Sequence, residues 1–326
     1  MPFRALRVFD AGGRVEARLA DLSLDDLSPG EVVVRVTHSS LNYKDALAVT
    51  GRGRILRKLP LNAGIDLAGV VERSTDARFA HGAPVLANGM GLGETHDGGF
   101  AERARVPAGW LVQMPDGLSA YDAMALGTAG FTAALALFRL EQNGQAPSLG
   151  PIVVTGATGG VGCIAVQLLA SRGYEVLAVS GRPEHAAWLR SLGATSVVTR
   201  EAHELGSKPL DRMRFGGVVD NVGGTLLAQL LPHVVEWGNV VSVGLADAAN
   251  FEATVYPFIL RGVSLLGASS ANCPMPLRIA LWSRLGADLR IQVDDIVTEV
   301  VGLDDVVSRA RALLDRKLHG RVVVAI

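Results

Sequence analysis

The residues best suited to chemistry begin with a glycine-rich run, P-I-V-V-T-G-A-T-G-G-V-G, at positions 151–162. Ile152 to Thr155 predict a short buried strand, and Val161 to Leu169 open an apolar helix. Strand, glycine turn and helix form the context in which such a run grips the pyrophosphate of a dinucleotide. The first N–H groups of a helix have no intrahelical acceptor and face an anion instead. The glycines have separate jobs. Gly156 eases the chain out of the strand, Gly159 lets backbone approach the pyrophosphate, and Gly162 lets the helix lie close to the sheet. Ala157 takes the place of the first fingerprint glycine. A tight turn in some other α/β protein is the alternative reading, and the flanking strand and helix weigh against it.

The end of the next strand chooses the nicotinamide. An NAD site normally places Asp or Glu there, about 20 residues past the glycines, on the ribose 2′-hydroxyl. Here the strand ends Ala178-Val179-Ser180-Gly181-Arg182, with no acid at its tip. A hydroxyl and a guanidinium suit a 2′-phosphate, and Arg200 after the third strand could join them. The expectation is NADPH over NADH. A solvated surface role for Arg182 is the alternative.

A second cluster, Leu41-Asn42-Tyr43-Lys44-Asp45 followed by Gly64-Ile65-Asp66, places polar residues within apolar, strand-rich sequence and suggests a cleft lining. Tyr43 offers an O–H that can donate a proton or a hydrogen bond. Asn42 could orient a carbonyl or carboxamide, and Asp66 could hold Tyr43, Lys44 or a backbone N–H. Turn polarity with a satisfied buried tyrosine explains the same residues without chemistry.

These residues need elements to position them. Residues 1 to about 120 read as β-rich, with strand signals at Glu31–Thr37 and Leu67–Val71 and dense glycine punctuation, which suggests a partly open barrel. Leu118 to Gly144 turns helical, with Ser119 as a cap and an interruption at Gly127 to Gly130. From Pro151 the pattern becomes strand, helix, strand. Predicted strands at Ile152–Thr155, Glu175–Val179, Ser196–Val198, Gly217–Asn221, Asn239–Val243 and Val263–Gly267 read as a doubly wound parallel sheet. Helices are expected over Glu184–Leu192, Pro276–Gly286 and Leu303–Leu314, and a last strand over Gly320–Ile326. The tail is expected to return to the first domain. That makes a discontinuous β-rich domain of 1–121 and 268–326, with a cofactor domain at 122–267.

The bulk numbers narrow the class. A chain of 326 residues, 49% hydrophobic and 19% charged, supports two domains with large cores. Lys+Arg 31 against Asp+Glu 32 leaves no field of one sign, which argues against a nucleic-acid or anionic-membrane partner. No stretch approaches the roughly 20 uninterrupted apolar residues of a membrane span. The charged N-terminus lacks a signal-peptide block. Two cysteines, Cys163 and Cys273, far apart in sequence, fit a reducing cytoplasm and read as buried thiols.

The chain also resembles a known family. N-Y-K-D-A-L at 42–47, G-I-D at 64–66, G-E-T-H-D-G-G-F-A-E-R-A-R-V at 93–106, G-T-A-G-F-T-A at 127–133, V-T-G-A-T-G-G-V-G at 154–162, S-G-R at 180–182 and P-F-I-L-R-G-V at 257–263 look like one branch of the medium-chain dehydrogenase/reductase superfamily. That branch is the zinc-free quinone oxidoreductase-like group of the YhdH/YhfP type, which includes acryloyl-CoA reductases. The resemblance implies an α/β protein with a GroES-like substrate domain, a Rossmann domain holding NADPH, a homodimer, and an active cleft between the domains. It places Tyr43 by the nicotinamide and Thr158, Gly159, Gly160 and Val161 by the pyrophosphate. Ser180, Gly181, Arg182 and Arg200 fall by the 2′-phosphate. Thr128, Leu245 and Ser270 fall on segments beside the cofactor, and His319-Gly320-Arg321 is the C-terminal approach to the site.

Zinc ligation is not expected. The first 121 residues hold no cysteine, and His38, His81 and His96 supply no four-ligand set. The reaction expected is hydride addition to a conjugated C=C, whose neighbouring carbonyl accepts charge while hydrogen-bond donors stabilise the enolate. The α-carbon is then protonated from Tyr43 or water. The acceptor is a small molecule, with an acyl-CoA thioester, an enone or a quinone as candidates. Arg52, Arg54, Arg57 and Lys58 could receive CoA phosphates or form a plain solvated loop. The chain departs from the acryloyl-CoA reductase pattern at Asp97, where Trp is usual, at Ser269, where Asp is usual, and at Ala271-Asn272; these changes are expected to alter the pocket. Broad-specificity NADPH:quinone reduction is one alternative function. An NADPH-binding redox sensor without turnover is another.

Overall fold

The computed structural model describes residues 2–199, 205–206 and 208–326. In chain order the elements are β1 (Phe3–Asp10), β2 (Val15–Leu22), β3 (Val32–Ser40), α1 (Tyr43–Thr50), β4 (Leu61–Asn62), β5 (Asp66–Ser74), β6 (Pro84–Asn88), β7 (Arg103–Val106), β8 (Val112–Gln113), α2 (Ala120–Gln142), β9 (Ile152–Thr155), α3 (Gly160–Ser171), β10 (Val176–Val179), α4 (Ala186–Ser191), β11 (Ser196–Val198), β12 (Phe215–Asp220), α5 (Gly224–Leu230), β13 (Val234–Ser242), α6 (Tyr256–Arg261), β14 (Ser264–Gly267), α7 (Met275–Leu285), β15 (Val297–Val301), α8 (Val306–Leu314) and β16 (Arg321–Ala325). They fall into two compact units, Met1–Ala129 with Ser270–Ile326, and Gly130–Ser269.

The first unit carries a three-stranded sheet, β2-β1-β4, and a larger sheet of order β15-β16-β3-β5-β6-β8 with β7 also paired to β3. Alternation drives it. Val32, Val34 and Val36 on β3 share a buried cluster with Leu67, Val71 and Val85, as the period of two in a half-buried strand requires. A second cluster joins Leu6, Val8, Leu41, Ala46 and Val49 to Val306, Ala310 and Val324, so α1 and α8 lie on the same core. The chain's C-terminal strand is therefore structural in this unit: β16 pairs antiparallel with β3, Val323 opposite Ser40.

The second unit is one six-stranded sheet of order β11-β10-β9-β12-β13-β14, with every pairing parallel. Its chain order reverses beside β9. Open parallel sheets bind ligands at the carboxyl ends of the strands flanking such a reversal. The glycine turn leaves β9 at that point.

Two features differ from the sequence expectation. Residues 43–50 form a helix inside the region read as β-rich, capped by Asn42 with Asp45 at the third helical position. The interruption expected over Gly127–Gly130 is confined to Gly127, at φ 52 and ψ −153, and helical geometry resumes at once. Among the described residues α2 alone is long and apolar enough to cross a membrane by length and hydropathy, and 83% of its most apolar window is buried in protein.

Candidate active site

The first unit gathers a buried polar network under the start of α1. Asp66, the first residue of β5, is fully buried. Its carboxylate accepts from Ser40 Oγ at 2.5 Å, Asn42 Nδ2 at 2.8 Å, Thr128 N at 2.8 Å and Thr128 Oγ1 at 2.5 Å. Gly127 makes this approach possible. A Cβ there would lie 2.6 Å from Asp66 Oδ2 and 2.5 Å from Ser40 Oγ, and its positive φ is one that other residues rarely adopt. Asn42 caps α1 and turns its amide inward. Its Nδ2 also reaches Asp45 Oδ2 at 3.2 Å, and its Oδ1 accepts from Arg321 Nη1 at 3.3 Å. Asp45 accepts the N–H groups of Asn42 and Ile65, each at 2.9 Å. Burial first, then the neighbouring Asp66, push its carboxyl up to about 7 against those bonds. Arg321, buried, closes the network by donating Nε to the Ala125 carbonyl at 2.8 Å.

Tyr43 stands on this base. It is the first residue of α1, is 52% exposed, and its hydroxyl bonds to no described residue. The network holds the helix start and leaves the phenol outside. This redraws one expectation and narrows another. Asn42 spends its side chain on Asp66, Asp45 and Arg321 rather than presenting it to a carbonyl. Asp66 holds a backbone N–H, that of Thr128, and neither Tyr43 nor Lys44, which pairs with Glu94 at 2.7 Å. Ser40, Asp45, Gly127 and Arg321 are members that sequence reading did not single out for this network. Asp45 had a signal, since an acid three residues past an N-cap is a capping pair. Ser40 had none, being 26 residues from Asp66.

Two other segments of this unit carry residues singled out above. The Ser270 and Ala271 carbonyls accept from Arg278 Nη2 at 2.8 and 3.2 Å, while Arg278 Nη1 donates to the Asn88 carbonyl and side chain at 2.7 and 2.8 Å. Arg278 is fully buried, and burial lowers its pKa. Asp97 is buried. Its carboxylate is sealed among the N–H and hydroxyl of Ser28, both at 2.7 Å, the N–H of Asn62 at 2.9 Å, and Arg7 at 3.4 Å. The unusual residue at 97 thus ties three chain segments together.

The second unit carries the glycine-rich turn of residues 156–162. Gly156 has φ +59, and Gly159 caps α3. At Gly162 a Cβ would sit 2.3 Å from the Gly156 carbonyl oxygen, so helix and turn approach too closely for any side chain. The first N–H groups of α3, from Gly160, Val161 and Gly162, lack intrahelical acceptors by geometry. Beyond β10, Arg182 lays its guanidinium on Thr158 Oγ1, with Nη2 at 2.7 Å and Nε at 3.2 Å, and donates its backbone N–H to Ser180 Oγ at 3.1 Å. Burial lowers the Arg182 pKa, with Glu184 opposing. A Cβ on Gly181 would meet nothing within 4 Å. At the end of β12, Asp220 accepts from Thr155 Oγ1 at 2.7 Å and Gly223 N at 2.9 Å, and burial pushes its pKa up. Leu245, on the loop after β13, is 66% exposed. Arg200 lies outside the described residues. Tyr43, Asn42, Asp66, Thr128 and Ser270 thus belong to the first unit, and Gly156 to Gly162, Ser180 to Arg182 and Leu245 to the second.

Two family models match, that of the alcohol dehydrogenase GroES-like domain over residues 28–116 and that of the zinc-binding dehydrogenases over residues 160–285. The putative quinone oxidoreductase YhfP of Bacillus subtilis is 46% identical over 324 residues, 99% of this chain and 98% of YhfP. Its crystal structure with NAD bound matches at TM-score 0.97 over 100% of both chains. The acrylyl-CoA reductase AcuI of Ruegeria pomeroyi is 45% identical over 316 residues, 97% of this chain and 96% of AcuI. The yhdH oxidoreductase of Salmonella enterica, crystallised with NADP, matches at TM-score 0.96 and 45% identity over 99% of both chains.

Zinc, which one of those family descriptions carries, does not fit these residues. Among the described residues no three His, Cys, Asp or Glu side chains are grouped to hold a metal ion. His96 has Nδ1 3.1 Å from the Asp97 carbonyl and Nε2 2.9 Å from the Pro29 carbonyl, so each ring nitrogen faces a backbone oxygen. His81 Nδ1 lies 2.9 Å from the Glu72 carbonyl, and Cys163 and Cys273 are buried. NADPH does fit. The close approach at Gly162, the open space over Gly181 and the Ser180–Arg182–Thr158 group match a pyrophosphate and a 2′-phosphate.

Proposed function

Because this chain belongs to the quinone oxidoreductase and acrylyl-CoA reductase branch of the medium-chain dehydrogenase/reductase family, we infer that it is an NADPH-dependent oxidoreductase that reduces a C=C bond conjugated to a carbonyl. The observation that carries the cofactor choice is the tip of β10, where Ser180, Gly181 and Arg182 stand in place of an acid, with Arg182 against Thr158 of the glycine cradle. Thr158, Gly159, Gly160, Val161 and Gly162 would hold the pyrophosphate, and Ser180 and Arg182 the 2′-phosphate. Bound NADPH would supply a hydride for the β-carbon.

The chain's own part is positioning and a proton. Asp66, Asn42, Asp45 and Arg321 fix the start of α1 and so fix the base of Tyr43. The Tyr43 hydroxyl donates to the substrate carbonyl as charge builds there, then delivers a proton to the α-carbon. Asn42 and Asp66 act through this scaffold. The acceptor is a small molecule, and an enoyl-CoA thioester is favoured by the likeness to AcuI. Quinone reduction is the second reading, favoured by the likeness to YhfP. The working protein is taken to be a cytoplasmic homodimer.

The test follows loss of the reduced nicotinamide's near-ultraviolet absorbance with acryloyl-CoA, crotonyl-CoA, an enone and a quinone in parallel. Turnover of the thioesters is expected to lead. Tyr43→Phe is expected to lower kcat by roughly 10²-fold or more with NADPH affinity unchanged. Full turnover of that variant, with unaltered deuterium incorporation at the α-carbon, would remove Tyr43 as the donor. NADPH binding without oxidation by any acceptor would leave a sensor in place of an enzyme.

A further inference from the structure

A coenzyme A ester has a long, highly charged tail, and the surface beyond α1 is suited to receive it; this inference rests on the enoyl-thioester reading above. Helix α1 ends at Gly51, in the left-handed region at φ +68, and the chain then exposes Arg52, Arg54, Arg57 and Lys58. The loop turns back toward the site. The Arg57 N–H donates to the Glu94 carbonyl at 2.8 Å, and the Glu94 carboxylate holds Lys44, the residue after Tyr43, at 2.7 Å. The β1–β2 hairpin adds a further cation. A Cβ on Gly51 would lie 2.9 Å from the Val15 Cβ, so exposed Arg14 sits by the same end of α1.

These cations are not balanced by neighbouring acids. Lys44 is spent on Glu94, and Arg52 pairs with Asp315 at 2.7 Å. Lys58 reaches only a hydroxyl, that of Ser28, at 3.2 Å. Arg14, Arg54, Arg57 and Lys58 have no carboxylate within ion-pairing distance among the described residues. Some arginines of this unit are paired instead: Arg4 with Asp304, Arg78 with Asp76 and Arg284 with Asp288. Uncompensated like charges repel one another, and a polyanion relieves that repulsion while gaining charge-assisted hydrogen bonds. The spacing suits a thioester. The eight residues of α1 span about 12 Å, and an extended pantetheine arm bridges that distance between an acyl group at Tyr43 and phosphates at the loop.

We propose that Arg54, Arg57 and Lys58, with Arg14 beside them, bind the phosphates of a coenzyme A ester whose acyl group is reduced at Tyr43. The test compares acryloyl-CoA with acryloyl-pantetheine, which carries the same reacting group and arm without the phosphates. Wild-type enzyme is expected to favour the CoA ester in kcat/KM. In the Arg54→Gln/Arg57→Gln/Lys58→Gln variant that preference is expected to fall about 10- to 100-fold, through KM. The rise of KM with salt should flatten in the same variant. Arg78→Gln, which removes an exposed arginine on another surface, should keep the wild-type ratio. If wild type and the triple variant share one ratio and one salt dependence, the loop is not the phosphate site. If wild type binds NADPH and reduces neither thioester, the enoyl-thioester reading itself is overturned.

Discussion

Asp45 couples the start of α1 to pH. Its carboxyl is raised to about 7 by burial and by Asp66, while the same group in an unfolded chain titrates near ~4. Between those values the folded protein keeps a proton that the unfolded chain has lost. The Asp45 contribution to stability is therefore complete below about pH 4, declines as pH rises, and is gone above about 7. Asp45→Asn removes this titration. The difference in unfolding free energy between wild type and variant should change by about 2–3 kcal/mol between pH 5 and 8, wild type losing ground with rising pH. Denaturant unfolding at several pH values measures it, and parallel curves would show that Asp45 does not titrate there. Arg182 carries a second residue-scale expectation. A guanidinium already laid on Thr158, beside a backbone N–H on Ser180, should give a 2′-phosphate charge-assisted bonds, so Arg182→Ala should lower the kcat/KM preference for NADPH over NADH by roughly 10- to 100-fold. An unchanged preference would return Arg182 to the solvent.

At the scale of elements, one glycine decides how close two segments come. Gly162 sets α3 against the turn after β9. In Gly162→Ala the new Cβ would meet the Gly156 carbonyl oxygen at 2.3 Å and the Ala157 Cα at 2.7 Å, both backbone atoms with little room to give. Moving α3 off the turn should cost about 1–3 kcal/mol and weaken NADPH binding at least ~10-fold, because the first-turn N–H groups move with the helix. Gly181→Ala, whose Cβ meets nothing within 4 Å, is the control for thermal stability. Thermal unfolding and NADPH titration of both variants check this, and wild-type behaviour of Gly162→Ala in both would refute it. The same scale separates what was legible in the sequence from what was not. The strand at Ile152–Thr155, the helix after it and the acid-free tip at 180–182 are local patterns in apolar period and residue type, and they appear in the fold as β9, α3 and the end of β10. The helix at 43–50 was hidden because apolar residues surround it, although Asn42 and Asp45 stood at capping spacing. Asp66 was legible as a polar residue near Tyr43, but its partners come from β3, α1 and α2, and no local pattern encodes that meeting. The partners of Asp97 were hidden for the same reason. Arg7, Ser28 and Asn62 meet its carboxylate from three other segments.

For the whole molecule, the open edge of the second unit requires an explanation. β14 ends the six-stranded sheet and, among the described residues, pairs only with β13. An uncovered edge strand templates pairing with another chain, and proteins guard such edges with charge, proline or a covering segment. Here the surroundings are apolar instead. Val255, Tyr256, Ile259 and Leu260 around α6 are exposed, Leu265 on the edge strand is 37% exposed, and Trp237 is 75% exposed. Trp237 also has φ 61, and a Cβ on Gly262 would touch its ring at 3.1 Å, so a strained backbone and a glycine hold the indole at the surface. An apolar patch bordering a free strand suits a second copy of this chain, because two edge strands related by a twofold axis pair antiparallel and cover each other's apolar neighbours. The wild-type protein should therefore sediment at about twice the 34.2 kDa chain mass. Trp237→Glu combined with Leu265→Lys places charge on both the patch and the strand, and should shift the equilibrium to monomer by at least ~10-fold in Kd. Analytical ultracentrifugation across a concentration series reads both results. A wild-type monomer at every concentration, or a double variant as dimeric as wild type, would mean that something other than a second β14 covers this edge.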